Sequence, residues 1–484
     1  MNPGMPSSQS ESPRSAPRTV ARGHLKRVRR LSVVATALVG GCVLALTGCA
    51  GVPIEGELRA RQELQAVGAS YRPDDQRPPL PRLRTSDRLG TFLQFAVLNQ
   101  PRVEAAYYDW AAAVQRITVE RSLPDPRLTF ESDISNVVLS LMPGLMMDFP
   151  GPGKLKAAAN VATAESEVKY FVFQTSVLQT AFAVKKAYYQ FHLANEKIAI
   201  NQETLKLLAD LETIARAQNE AGKVTLQDVL RAEIEQERLA TSIKNLKDSR
   251  SQILAEFKAA LGLNAADAMP PVPAKFESTP RGLNSDRLLT FALTHNPRLQ
   301  AMEAEVRRAD AAIRLAHTAQ VPDVLAGIKA DAMSSPTIVT PEVKISLPIW
   351  RDKIAALIAG AEAAERAAAA RLSAEQIALA VELVEKSFMF RSASRNLELF
   401  TERLLPKARQ SLEVAQSGYA GGRVEFLNVI DAERTLRDFR LSAVEARVQR
   451  ELALAELSLI ILGRPPQNAS VVLSTTANQT ADIR

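Results

Sequence analysis

The chain states one long pattern twice. Residues 221–233 read AGKVTLQDVLRAE, and residues 421–433 read GGRVEFLNVIDAE. Phe95-Ala96 with Pro101-Arg102 returns as Phe291-Ala292 with Pro297-Arg298, an offset of 196. Pro124-Asp125 returns as Pro322-Asp323 and Phe149-Pro150 as Leu347-Pro348, both at 198. Leu261-Gly262 returns as Leu462-Gly463, at 201. Landmarks kept in one order, with a slowly growing offset, mark a tandem duplication. A unit near 200 residues is too long for an ordinary solenoid repeat. The chain must fold as two like halves, not as a stack of small modules.

Each unit runs through the same elements. A helical stretch opens it, at about 87–121 and 285–319, and two extended segments follow within 126–148 and 323–347. A very long helical stretch comes next, at about 153–217 and 352–416. A glycine-bearing break at 218–224 and 417–423 turns the chain, and a closing helix covers 225–261 and 424–462. Pro78-Pro79-Leu80-Pro81 and Met269-Pro270-Pro271-Val272-Pro273 read as extended connectors. The expected divisions are a leader (1–48), an N-terminal linker (49–86), a first unit (87–263), a link (264–284), a second unit (285–463) and a polar tail (464–484).

The long helical stretch carries a sevenfold rhythm. Val161, Val168, Thr175, Phe182 and Tyr189 recur at that spacing, with Ala164, Phe171 and Leu178 at the companion position. That is the a/d seam of a helix lying along a coiled-coil partner. Abundant alanine and sparse glycine suit long helices in mutual contact. A helix of about 64 residues reaches roughly 96 Å, further than a compact domain needs.

The extended segments follow a period of two. Leu128, Phe130 and Ile134 alternate with Thr129, Glu131, Asp133 and Ser135, and Val343, Ile345 and Leu347 alternate with Glu342, Lys344 and Ser346. One apolar and one polar face per strand suits a sheet with lipid on one side and water on the other. A soluble sheet with one buried face alternates identically. In lipid, four strands cannot close a barrel, and open edges would strand backbone donors and acceptors. The membrane reading therefore requires several copies to share one barrel, most simply three supplying twelve strands.

The N-terminus favours that reading. Arg22, Lys26, Arg27, Arg29 and Arg30 precede an apolar run from Leu31 to Leu46, and the run ends in Leu46-Thr47-Gly48-Cys49. This is the layout of a secretory signal, and its end resembles the bacterial lipobox, with Cys49 as the lipidated residue. Ala50, not Asp, follows, which favours the outer membrane. Residues 1–48 hold seven Lys/Arg and one Asp/Glu, so of the chain's net charge of +7 only +1 belongs to the rest. Basicity thus gives no case for a nucleic-acid partner.

With these features assembled, residues 87–463 resemble the TolC-like outer membrane efflux proteins. The resemblance rests on the duplication, the helix–strand–strand–helix order and the Gly-x-Val-x-x-x-x-Val/Ile break. It implies a mainly α fold with a membrane β-barrel portion: a trimeric twelve-stranded barrel continued by a long α-helical tunnel. It also implies a periplasmic adaptor (membrane fusion) protein and an inner-membrane pump of the resistance-nodulation-division type as partners. Segment 147–156, MDFPGPGKLK, resembles the turn of the heavy-metal cation (CzcC-like) branch. The two breaks then become the periplasmic tip, with Gly222, Lys223, Val224, Leu226, Gly422, Arg423, Val424 and Phe426 as adaptor-contact residues. Tyr419, Asn428, Asp431 and Asp228 are the aperture residues. The family's second-half pattern has Arg where this chain has Val424, and Asp where it has Asn428, so one ring of aperture carboxylates is replaced.

Catalysis has no sequence support. No phosphate-binding glycine loop or nucleophile elbow occurs, and His192, His295 and His317 lack ligand spacing. We therefore expect no enzyme, no cofactor and no resident metal. The expected protein is the outer membrane channel of a tripartite efflux system, lipid-anchored and extending into the periplasm. It passively exports cargo such as heavy-metal cations. The alternatives are a non-conducting, lipid-anchored coiled-coil scaffold, or the same channel serving drugs or secreted proteins.

Overall fold

The computed structural model describes residues 52–134, 138–278, 288–331 and 333–462. Every element below belongs to the unit Pro53–Arg484. The signal, Cys49, Ser135 and the tail 464–484 lie outside the described residues.

The first half opens with α1 (Glu55–Tyr71), α2 (Leu89–Asn99) and α3 (Pro101–Arg121), then β1 (Arg127–Ile134) and β2 (Val138–Phe149). The long helix α4 (Lys154–Glu220) and α5 (Leu226–Ala260) complete it. The second half repeats the order with α6 (Leu288–His295), α7 (Pro297–His317), β3 (Asp323–Asp331) and β4 (Ile338–Ser346). Its long rod is α8 (Arg351–Glu398), a π-helical turn at Leu399–Leu404 and α9 (Leu405–Ala420), and α10 (Phe426–Leu462) closes it.

Two differences from the sequence reading have simple causes. Each opening stretch is two helices, because Pro101 and Pro297 lack the N–H that a continuous helix would need and start a new helix instead. The second rod is interrupted by its π turn just before Pro406, which cannot donate to the preceding turn. The segment read as an N-terminal linker also holds a helix, α1. Its Glu57 is buried and takes hydrogen bonds from Thr118 (2.8 Å) and Arg121 (2.5 Å) of α3.

At 67 residues, α4 spans about 100 Å. It packs along α3, α5, α7 and α10 and so joins the two halves. One core gathers Tyr71, Tyr107, Trp110 and Phe173. A second holds Phe92, Tyr188 and Phe257. A third, at the helix turns, holds Leu208, Leu211, Val229, Tyr419, Phe426 and Val429. The link between the halves is held down rather than loose: Tyr188 donates to Lys275 O (2.5 Å), Tyr189 to Glu277 O (3.1 Å), and the His192 ring meets Pro273 O (3.0 Å).

The strands form one antiparallel sheet in the order β1-β2-β3-β4. The join between halves is β2 with β3, Gly144 opposite Lys329 through Phe149 opposite Val324. Its register sorts the faces. Leu128, Leu145 and Ile328 form one cross-strand row, and Phe149, Val324 and Ile345 another. These side chains are exposed, as are Phe130 (74 %) and Val343 (65 %) on the same face. The opposite face is charged and paired: Lys329 with Glu131 and with Glu342 (3.0 Å), Lys344 with Glu342 (2.7 Å), Arg127 with Asp148 (2.6 Å).

Candidate functional site

The two helix turns share one construction. After α4 the chain reads Ala221-Gly222-Lys223-Val224-Thr225, and after α9 it reads Gly421-Gly422-Arg423-Val424-Glu425. Gly222 N donates to Asn219 O (2.8 Å) and Lys223 N to Gln218 O (2.9 Å). In the second turn Gly422 N donates to Tyr419 O (3.0 Å) and Arg423 N to Gly418 O (2.8 Å). This pair of bonds ends a helix through a left-handed residue. Gly222 and Gly422 are those residues, at φ +71° and +66°. A Cβ at either would meet no atom within 4 Å, so the glycines answer to backbone strain and not to crowding.

The tip residues then separate. Gly222, Lys223, Leu226, Gly422 and Arg423 are exposed, and Val224 and Val424 are half-buried against the tip core. Phe426 is buried and packs at 5.3 Å on the Tyr419 ring. Tyr419 is itself buried, and its hydroxyl has no partner among the described residues. Burial raises its pKa, and the Asp228 charge adds to the shift. The second-half Tyr419 shares its core with the first-half Val229, the neighbour of Asp228 in the chain. Asp228 lies 3.8 Å from Arg231. Asp431 and Asn428 are exposed, with Asp431 3.9 Å from Arg434.

Sequence reasoning missed the ion pair that ties the halves together here. Arg434 of α10 reaches Glu235 of α5, which Arg238 also contacts at 3.3 Å. Burial alone would raise Glu235, but the two guanidiniums outweigh it and its pKa is lowered. Immediately before Arg434 in the chain, Glu433 is buried with its pKa raised by burial, against the opposing pull of Arg437 and Thr204. Higher up, Lys197 meets Glu445 and Arg440 meets Glu203, each at 2.5 Å, and Arg447 meets Glu196. Glu196 and Glu203 are seven apart, as are Arg440 and Arg447, which is the spacing of a coiled-coil flank. The shared heptad register was the available signal.

The turn MDFPGPGKLK sits at the other end of α4. Gly151 N donates to Asp323 Oδ1 (2.8 Å), and Lys154 Nζ reaches the same oxygen (2.7 Å). It thus clasps the first half onto the start of β3. Among the described residues no three His, Cys, Asp or Glu side chains are grouped to hold a metal, and no helix is long and apolar enough to cross a membrane. His192 is packed among aromatic rings, and His295 stacks on Phe291 at 4.1 Å.

The chain is thus a duplicated one with two long helical rods, glycine-ended turns and a four-stranded sheet with an exposed apolar face. The chain matches the outer membrane efflux protein family model at residues 92–263 and 288–463. It belongs to that family, whose members are transport channels and not enzymes. It is 24 % identical over 335 residues to the cobalt-zinc-cadmium resistance protein CzcC of Cupriavidus metallidurans, covering 66 % of this chain and 77 % of the relative. Its fold matches a membrane protein from Pseudomonas aeruginosa (TM-score 0.70, 17 % identity, 80 % of this chain and 93 % of the other). It also matches CusC (TM-score 0.68, 18 % identity, 81 % and 99 %). The fold is therefore TolC-like and mainly helical.

Proposed function

We propose that the chain is the outer membrane duct of a tripartite efflux system, acting as a trimer. The observation that carries this is the sheet's exposed apolar face. Leaving its eight large side chains (Leu128, Phe130, Leu145, Phe149, Val324, Ile328, Val343 and Ile345) in water forgoes on the order of 10 to 20 kcal/mol. That is comparable with the whole stability of an ordinary domain. Lipid around the apolar face removes the cost, and water inside solvates the paired charges. Strands of 8, 12, 9 and 9 residues have the length of tilted membrane strands. The free edges of β1 and β4 then need partners, since an unpaired backbone group in lipid costs several kcal/mol. Three copies supply twelve strands and close the barrel.

In this reading, units 87–263 and 285–463 are the structural repeats. The leader 1–48 is removed, Cys49 carries lipid, and the long rods form a tunnel into the periplasm. The turns at Gly222 and Gly422 form its tip, where Lys223, Leu226 and Arg423 meet a periplasmic adaptor. Tyr419, Asp228, Asn428 and Asp431 border the aperture. An inner-membrane pump supplies the cargo, which we assign to heavy-metal cations from the likeness to a cobalt-zinc-cadmium resistance protein. The channel conducts such ions without a resident site. Purified protein added to a planar bilayer should give discrete conductance steps. Purified oligomer that never conducts would favour the scaffold alternative.

A further inference from the structure

The two strand-to-rod junctions of this chain are repeat equivalents, and only one of them is closed. In the first half, Phe149-Pro150-Gly151-Pro152-Gly153-Lys154 joins β2 to α4. Gly151 is buried, a Cβ there would meet Pro322 O at 2.5 Å, and Lys154 is paired with Asp323. In the second half, at the offset of 198, Leu347-Pro348-Ile349-Trp350-Arg351-Asp352 joins β4 to α8. There Leu347, Ile349 and Trp350 are 69 %, 67 % and 72 % exposed.

The backbone fixes this second junction. Ile349 N donates to Leu347 O (2.9 Å) and closes a three-residue turn around Pro348. Arg351 N donates to Ile349 O (3.0 Å) and closes another around Trp350, whose φ of −79° and ψ of 79° are those of an inverse γ-turn. Leu347 and Ile349 prolong the exposed row of Val343 and Ile345 past the end of β4, so the apolar sheet face runs on to Trp350. Arg351, Asp352 and Lys353 follow, all exposed and none with an ion-pair partner among the described residues. Cations in a first helical turn oppose the helix dipole, so the stability of α8 does not account for Arg351 and Lys353. Residues Ile349 to Lys353 line an open hollow of about 640 Å³.

We infer that this junction docks the headgroup of an anionic phospholipid, in the leaflet where the sheet gives way to the rods. Trp350 sits at headgroup level, where an apolar ring with one N–H donor has both of its surroundings. Leu347 and Ile349 meet the acyl chains beneath it, and Arg351 and Lys353 reach the phosphate on long side chains. The two cations outnumber Asp352 by one. One net positive charge at the surface favours an anionic over a neutral headgroup about fivefold. The first-half junction has Gly151 and Pro152 where the second has Ile349 and Trp350, so each copy offers this surface once. The inference rests on the membrane reading above and adds to it the headgroup chemistry and the place of contact.

The chain has two tryptophans, and Trp110 is only 1 % exposed, so quenching of tryptophan emission from the lipid side should report Trp350. Full-length protein is reconstituted in vesicles of phosphatidylethanolamine and phosphatidylglycerol, with bromine near the headgroup end of the acyl chains of one lipid or the other. At equal mole fraction, brominated phosphatidylglycerol should quench more than brominated phosphatidylethanolamine. Trp350→Phe should remove the quenched component. Arg351→Gln with Lys353→Gln should abolish the difference between the lipids, and Asp352→Asn should widen it. Equal quenching by both lipids, or a preference that survives the double variant, would overturn the headgroup assignment. Protein that conducts in a planar bilayer but is quenched by neither lipid would remove the docking surface and leave the duct standing. Protein that neither conducts nor is quenched would sink the two together.

Discussion

Gly422 sits at a positive φ with open space around its Cα, so substitution there strains the backbone without displacing a neighbour. Gly422→Ala should cost about 1 to 2 kcal/mol. Gly360, inside α8 and equally uncrowded, has no such demand, and Gly360→Ala should stabilise by about 0.5 to 1 kcal/mol. Opposite shifts in melting temperature for one chemical change would confirm the distinction, and like shifts would refute it. Two buried carboxylates near the turns make a second opposed pair. The raised pKa of Glu433 means that folding favours its protonated form. Its contribution is complete below the ordinary value of 4.5 and is lost as pH rises through the folded value. Glu433→Gln should therefore stabilise the protein at pH 7, with the gain shrinking toward pH 4. Glu235 behaves inversely: its contribution is present above 4.5 and lost as pH falls through the lowered value. Glu235→Gln should destabilise at pH 7, and less so in acid. Melting curves at both pH values decide each sign. The glycine turns were legible because φ > 0 selects a residue type. The Glu433 environment was not, because Glu233, its repeat equivalent, is identical in sequence yet 43 % exposed and paired with Arg216.

At the scale of elements, period and length were readable and breaks were not. Strand alternation held over Leu128–Glu131 and Glu342–Ser346, since side-chain direction in a regular strand follows from position alone, whereas the register shifts between Asp133 and Ile134. The two-helix opening and the π turn depend on single prolines inside otherwise helical patterns, and their effect is local. The α1 helix was missed because Glu57, a buried charge, hides the apolar face that periodicity looks for. The sheet's two faces carry an element-scale prediction. Val343→Arg on the apolar face should lower the yield of membrane-inserted protein, costing about 2 to 4 kcal/mol near the bilayer centre. Thr129→Arg, on the charged face, should insert normally. Equal insertion of both variants would mean that lipid does not cover the apolar face.

For the whole molecule, duplication was the most informative property, and it also marks where a single chain stops short. Within one copy, the first half's long helix is covered on both sides, whereas the second half's is bare along Ile377, Val381 and Phe388. Sequence could show that the halves are alike; it could not show that their surroundings differ, because that depends on which neighbour lies within the chain. Unpaired strand edges and the bare rod face lead to the same requirement for further copies. Native mass spectrometry of detergent-extracted protein tests that requirement most directly. The account predicts a particle of three chains, and a stable, monodisperse single chain would contradict it.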